Sequence, residues 1–254
     1  MTEASVPRLS AIVITKNEAA NIGECLDSLA FCDERIVVDC GSADDTVAIA
    51  RAKGASVSVH VWEGFGPQKN HALALASGDW VLSLDADERV SPPLAAAIEG
   101  AIAEGRADGY EFPRRSSFCG RMLRYSGWHP DYVLRLFRRG KARFTDAIVH
   151  ERVVCDGPVA RLREPLIHHP VHKLEDAISR IDRYSTASAQ AIVASGRRVG
   201  FMTGIGHGIG SFLRAYVLRL GFLDGAEGFL LAVANAEGSY YRYMKAWLER
   251  RRRG

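Results

Sequence analysis

The chain has 254 residues, 47% of them hydrophobic and 25% charged, with a net charge of +3, an ordinary globular balance with room for one α/β domain and an appendage. Five cysteines (Cys25, Cys32, Cys40, Cys119, Cys155), odd in number and without a C-x-x-C pair, suit reduced thiols in a cytoplasm better than a disulfide framework. Met1 to Arg8 carries no apolar core, so no signal peptide is expected, and neither repeats nor a low-complexity linker interrupt the chain.

In chain order, Leu9 to Ile14 is a strand-like run ending in Thr15-Lys16-Asn17-Glu18. Ala20 to Leu29 has a helical pattern. Arg35 to Asp39 is a second strand, ending in Cys40-Gly41-Ser42, and Asp44 to Lys53 a second helix. Val57 to Trp62 reads as a third strand and Pro67 to Ala76 as a third helix. Trp80 to Leu84 is a buried strand delivering Asp85-Ala86-Asp87-Glu88 at its C-terminal tip. Strands alternating with helices predict a mostly parallel sheet covered on both faces. Three strands then end in carboxylate-bearing turns, at Glu18, Asp39 and Asp85/Asp87, and parallel strands bring these turns to one edge, where open α/β sheets bind ligands.

Asp85 and Asp87 admit two readings. Mg²⁺ or Mn²⁺ takes one or two carboxylates and completes its shell with substrate phosphates, so the pair fits a metal site holding a diphosphate. Alternatively, it is an acidic turn capping the helix that Ser91-Pro92-Pro93 begins.

Four ordered segments, Ile14 to Glu18, Ile36 to Thr46, Gln68-Lys69-Asn70 and Leu84 to Glu88, resemble the family 2 glycosyltransferases of GT-A fold over about residues 8–150. Leu134 to Arg139 and Val149-His150-Glu151 resemble a narrower branch, the bacterial lipopolysaccharide inner-core β-1,4-glucosyltransferases. The resemblance implies an α/β, Rossmann-like GT-A architecture: a mixed, mostly parallel sheet flanked by helices, with a C-terminal helical appendage. The expected division is a catalytic domain over 1–170 and a helical region over 171–254.

It also implies roles. Asp39 would accept the N3–H of uracil; Thr15, Asn17 and Glu18 would contact base or ribose. Lys69 would lie near base or phosphates, although a solvated helix lysine fits the pattern equally. Asp85 would lie near ribose and metal, and Asp87 would be the main protein ligand of Mg²⁺ or Mn²⁺, with His150 either a metal or diphosphate ligand or a buried structural histidine. His168 and His169, before Pro170, are weaker candidates that read as a loop feature. An inverting transfer needs a carboxylate base; Asp131, four residues before Arg135, is the expected one, with Glu151 the alternative. The chain lacks the Glu-Asp pair that marks the base in many members.

The segment Arg114 to Arg143 carries nine basic residues and the single acid Asp131. It reads either as a solvated face or as a phosphate grip, in which Arg135 and Arg138 hold the nucleotide-sugar diphosphate. No nucleic-acid motif accompanies it, so a nucleic-acid partner is not expected.

His172 to Ala194 has a helical pattern. Val199 to Leu223 is largely apolar, but its glycines, with Arg214 and Arg219, disfavour a spanning helix and favour an interfacial one. A last helix, about Ala226 to Arg250, ends in Arg250 to Arg253, a basic tail beside tyrosines and Trp247 suited to an anionic leaflet; the alternative is a soluble helix pair with a solvated tail.

The expected function is an inverting, metal-dependent transfer of a hexose such as glucose. The donor is a UDP-sugar and the acceptor a lipopolysaccharide-core or other cell-envelope glycan or glycolipid, at the inner face of the cytoplasmic membrane. Polyprenyl-phosphate and capsule or exopolysaccharide acceptors stay open. A nucleotidyltransferase would need a glycine-rich loop after the first strand, where the chain has Thr15-Lys16-Asn17-Glu18; a non-catalytic module would not need Asp85 and Asp87.

Overall fold

A computed structural model describes residues 7–145 and 152–253. The chain forms two compact units, one of residues 1–114 and 131–168, the other of residues 115–130 and 169–254.

The first unit is built on a sheet. β1 (Leu9–Thr15) is flanked by parallel β2 (Glu34–Asp39) and β4 (Trp80–Asp85), and β3 (Ser56–Val59) extends the parallel half beyond β2. The helices α1 (Ile22–Ser28), α2 (Thr46–Ala52) and α3 (Phe65–Leu75) make the connections. β5 (Glu88–Arg89) and α4 (Pro92–Glu104) follow. Beyond β4 the sheet turns antiparallel. β8 (Asp131–Arg138) pairs with β4 and with β6 (Gly109–Phe118), and the order is β3-β2-β1-β4-β8-β6-β12-β5, with β12 spanning Leu166–Val171. β9 (Ala142–Phe144) and β10 (Val153–Cys155) form a separate hairpin, and β11 (Val159–Arg161) pairs with β6. The sheet is therefore mixed, as expected.

The apolar runs are continuous because both faces of the parallel half are covered. Ala11, Val13, Leu82 and Leu84 point to one side, against Leu26, Leu94 and Ile98. Ile12, Val38 and Val81 point to the other, against Ala72, Phe137 and Phe144. Ser91 Oγ accepts the Leu94 N–H at 3.4 Å and Pro92 opens α4. The helix cap is thus Ser91, which removes the capping reading of Asp85 and Asp87. β3 stops at Val59, short of the expected Trp62, and Val61 and Trp62 are exposed in the loop that follows.

In the second unit, β7 (Arg121–Met122) pairs with the end of β6. α5 (Leu174–Ala194) and α6 (Phe201–Leu213) both pack on α7 (Gly225–Arg253). The apolar run expected over Val199 to Leu223 is broken into α6, a π-helical turn at Arg214–Leu218 and a 3₁₀ turn at Gly221–Asp224. Among the described residues no helix is long and apolar enough to cross a membrane. The buried Asp224 carboxylate fixes a neighbouring turn by accepting the N–H groups of Arg124 and Tyr125, both at 2.9 Å, and the Ser126 hydroxyl at 3.2 Å.

Candidate active site

The register of the parallel strands places Thr15 beside Asp39 and Ile14 beside Asp85, so the tips of β1, β2 and β4 emerge together. Asp39 is 1% exposed. Its Oδ1 accepts the N–H groups of Gly41 (2.9 Å) and Ser42 (2.8 Å), and its Oδ2 the hydroxyls of Ser42 (2.5 Å) and Thr15 (3.1 Å). Burial pushes this carboxyl up, but the hydrogen bonds, those from Ser42 foremost, outweigh it and hold Asp39 below the usual carboxylate range.

The two tip loops brace each other. Asn17 takes a left-handed φ of 56°, which asparagine tolerates. Its N–H donates to Ser42 Oγ and its Oδ1 accepts the Ala43 N–H, both at 2.8 Å. The Glu18 N–H donates to Thr46 Oγ1 at 2.8 Å, and the Glu18 carboxylate accepts from Asn21 Nδ2 at 2.8 Å.

Asp85 lies in a network of buried charge. Its Oδ1 meets Lys69 Nζ at 2.9 Å and its Oδ2 meets Arg135 Nη2 at 2.5 Å. Lys69 is buried, so the solvated-lysine reading fails. The same Arg135 nitrogen donates to Glu88 Oε1 at 2.7 Å, while Glu88 Oε2 accepts the Asp85 N–H at 3.0 Å. Glu88 is 0% exposed and also faces Arg114 Nη1 at 3.6 Å. Burial raises the Asp85 carboxyl, but the charges of Arg135 and Lys69 prevail and hold it well below the usual range. Burial likewise lowers Arg135, and Asp85 and Glu88 more than reverse it.

Arg114 carries the network outward. Paired across β6 and β8 with Asp131, it donates from Nε at 2.9 Å and Nη2 at 2.5 Å to Asp131 Oδ2. A register shift opposite Tyr110/Glu111 leaves Arg135 as the extra residue of β8, between Leu134 and Leu136. Asp87 meets His168, with Nε2 to Oδ2 at 3.6 Å; His168 is in β12, opposite Glu88 of β5. His168 is therefore a strand residue, correcting its reading as part of a loop.

Residues 10–169 match the family described as glycosyl transferase family 2. The chain belongs to this family. The lipopolysaccharide core biosynthesis glycosyltransferase LpsC of Rhizobium meliloti is 33% identical over 94% of this chain and 90% of its own. An uncharacterized glycosyltransferase of Rickettsia felis is 31% identical over 94% of this chain and 89% of its own. Among solved structures, the glucosyl-3-phosphoglycerate synthase of Mycobacterium tuberculosis, in complex with Mn²⁺, UDP and glucosyl-3-phosphoglycerate, is 31% identical over 45% of each chain, with a TM-score of 0.37.

In this family 2 glycosyltransferase the sheet edge brings together Thr15, Asn17, Glu18, Asp39, Lys69, Asp85, Asp87, Asp131 and Arg135. Arg138 is not among them. It pairs with Trp80 at the opposite end of β4, stacks over that ring at 4.7 Å and meets Asp108 at 3.1 Å, because antiparallel β8 carries its later residues away from the tips. His150 and Glu151 lie outside the described residues. Glu88 joins the site without a role expected from sequence, Arg114 as the first residue of the basic segment, and His168 as one of the weaker candidates. Glu88 follows the Asp-x-Asp directly, which is a usable signal; Arg114 and His168 arrive through strand pairings that no local pattern announces.

Proposed function

We propose that this glycosyltransferase moves a hexose such as glucose, with inversion, from a UDP-sugar to the lipopolysaccharide core or another cell-envelope glycan. It would work at the inner face of the cytoplasmic membrane. The convergence of Asp39, Asp85 and Asp87 on one sheet edge, with Asp131 joined to it through Arg114, carries this reading. The likeness to LpsC over nearly the whole chain supports the acceptor class.

Asp39 would take the uracil N3–H on a carboxylate that its own turn keeps ionised; the Thr15 and Ser42 hydroxyls that occupy Oδ2 can rotate to admit it. Cytosine has no N3–H to offer there. Asp87 presents a carboxylate, the donor Mn²⁺ or Mg²⁺ takes, with the remaining positions left to phosphate oxygens, and the His168 imidazole beside it is a donor that Mn²⁺ would accept more readily than Mg²⁺. A cation held there supplies Lewis-acid stabilisation of the departing diphosphate. Asp85, neutralised by Lys69 and Arg135, would instead orient the ribose and fix the tip.

In the transfer, the acceptor hydroxyl oxygen bonds to the anomeric carbon opposite the diphosphate. The bond from that carbon to the diphosphate oxygen breaks, its electron pair leaving with UDP. Asp131 takes the hydroxyl proton, and Arg114 holds the carboxylate in place.

Calorimetry of UDP binding with and without Mn²⁺ tests the donor site. Mn²⁺ should tighten UDP binding in the native protein and not in Asp87→Ala, which should fold normally and lose transfer by about 10³-fold or more. Full activity of Asp87→Ala in chelator-treated buffer would refute the metal role.

A further inference from the structure

Helix α6 is packed inside out. Gly204, Gly208 and Ser211 face α7. A Cβ on Gly204 would lie 2.4 Å from Met244 Cε, one on Gly208 would lie 3.3 Å from Tyr240 Cβ, and Ser211 Oγ donates to the Asn235 carbonyl at 3.1 Å. Phe201 and Phe212 flank this seam, against Trp247 and Phe229 of α7, but a second set of bulky side chains points the other way. Met202, Ile209 and Leu213, spaced to share one side of the helix, are 70%, 58% and 48% exposed, and Leu218 in the following turn is 76% exposed. A helix in water buries its large hydrophobes and exposes its small residues; burial of glycine against a neighbouring backbone with leucine and isoleucine outward is the pattern of helices packed in lipid.

Two further observations select the occupant. A groove of about 380 Å³ between α6 and α7 is lined by Ile205, Phe212 and Val233 and opens beside Ile209 and Leu213, which also line it. The exposed face is bracketed by cations. Arg197 and Arg198 precede α6, with Arg250 donating to the Arg197 carbonyl at 2.6 Å, and exposed Arg214 and Arg219 follow it. An apolar strip with cationic ends matches an anionic bilayer, in which hydrocarbon meets the strip and headgroups meet the arginines. The 13 residues of α6 span about 20 Å, short of the roughly 30 Å hydrocarbon core, so the element lies in the interface and does not cross it.

We propose that the outer face of α6, with Leu218 beyond it, is the membrane-docking surface of this enzyme and inserts into the acyl region of anionic lipid. This extends the membrane part of the functional reading and is independent of the donor site. The basic end of α7 then contributes attraction without insertion.

Flotation of the full chain with vesicles of equal phosphatidylcholine and phosphatidylglycerol tests it, with UDP binding in Mn²⁺ measured alongside. The native protein should float, and part of that binding should survive high salt. Ile209→Ser, Leu213→Ser and Leu218→Ser combined should lower partitioning by roughly tenfold or more, since binding strength scales with the apolar area that inserts. UDP binding should be unchanged, which separates a failure of docking from a failure of the donor site. If the triple variant unfolds, Leu218→Asp, on a side chain that packs little, gives the same reading. Native-like flotation of these variants would overturn the proposal. So would a native protein that ignores anionic vesicles, or a dimer in light scattering that the triple variant converts to monomer with vesicle binding unchanged.

Discussion

In the sheet unit, Lys69, Glu88 and Arg135 are buried, and each meets a partner of opposite charge. In the helical unit, Met202, Ile209 and Leu218 stand exposed while glycines occupy the packed face of α6. Both regions break the ordinary partition of residues between interior and surface, in opposite senses. Buried charge is costly unless paired and hydrogen-bonded, so a network that pairs each of these charges, although Arg135 Nε finds no acceptor in it, fixes geometry where a charged substrate is handled. Exposed hydrocarbon is unfavourable in water, so a continuous strip of it marks a face made for another phase. Chemistry and docking are each legible as a departure from the packing rule, and each departure can be undone by a small substitution.

The largest effect is expected at the outward arm of the charged network. Asp131→Asn and Glu151→Gln keep shape and remove proton acceptance. Asp131→Asn should lower turnover by roughly 10²–10⁴-fold, the range of general base catalysis, with UDP affinity near native. Glu151→Gln should not share that pattern. If Glu151→Gln loses turnover and Asp131→Asn keeps it, Asp131 is only an anchor for Arg114. Steady-state kinetics with calorimetry on both variants decides between them.

At the centre of the network, Glu88→Gln tests whether the charges stabilise one another. Glu88 is 0% exposed and receives Arg135 at 2.7 Å. Neutralising it leaves Arg135 and Arg114 facing each other with less compensation. The loss should be about 3 kcal/mol of stability, the lower end for breaking a buried pair because the amide still accepts a hydrogen bond. A loss under about 1 kcal/mol in denaturant titration would show that the network is loosely held and that surrounding water screens it.

The parallel half of the sheet and its three acidic tips were readable because each strand is a local run of apolar residues ending in a polar turn. Parallel pairing then forces the tips together whatever the details. The starts of α1, α2, α3 and α5 differ from the sequence pattern by two residues and the end of β3 by three. Ends are set by hydrogen bonding of the turns: the His60 N–H, for example, goes to the Asp39 carbonyl at 2.9 Å. The pairings of Arg114 with Asp131 and of Asp87 with His168 join positions 17 and 81 residues apart, and no local periodicity encodes them. Arg138 misled because a run of arginines carries no register; its pairing with Trp80 assigns it to the far end. Over Val199 to Leu223 a helix was readable but its extent was not: α6 ends at Leu213, and its glycines are used for close approach to α7.

The smallest effect, and the sharpest test of the tip loops, is at Asp39. Four donors of its own and neighbouring loops already converge on this carboxylate, so it could serve the turn alone. Asp39→Asn retains an oxygen for the Gly41 and Ser42 N–H groups and places an amide NH₂ where Oδ2 was. The Thr15 and Ser42 hydroxyls can reverse and accept from it, so the fold should persist. The uracil N3–H, however, would then meet a donor. UDP affinity should fall by about 1.5–3 kcal/mol, the contribution of a charge-assisted hydrogen bond, and the preference for UDP over CDP should shrink. The pH dependence gives a second readout. The folded-state pKa of Asp39 is depressed, so its contribution to stability is fully present above the unfolded value of about 3.9 and is lost as pH falls through the folded value. Native protein should therefore lose stability on acidification more steeply than Asp39→Asn. Unchanged UDP affinity together with this flattened acid profile would make Asp39 a residue of the turn; weakened affinity would make it the reader of the base.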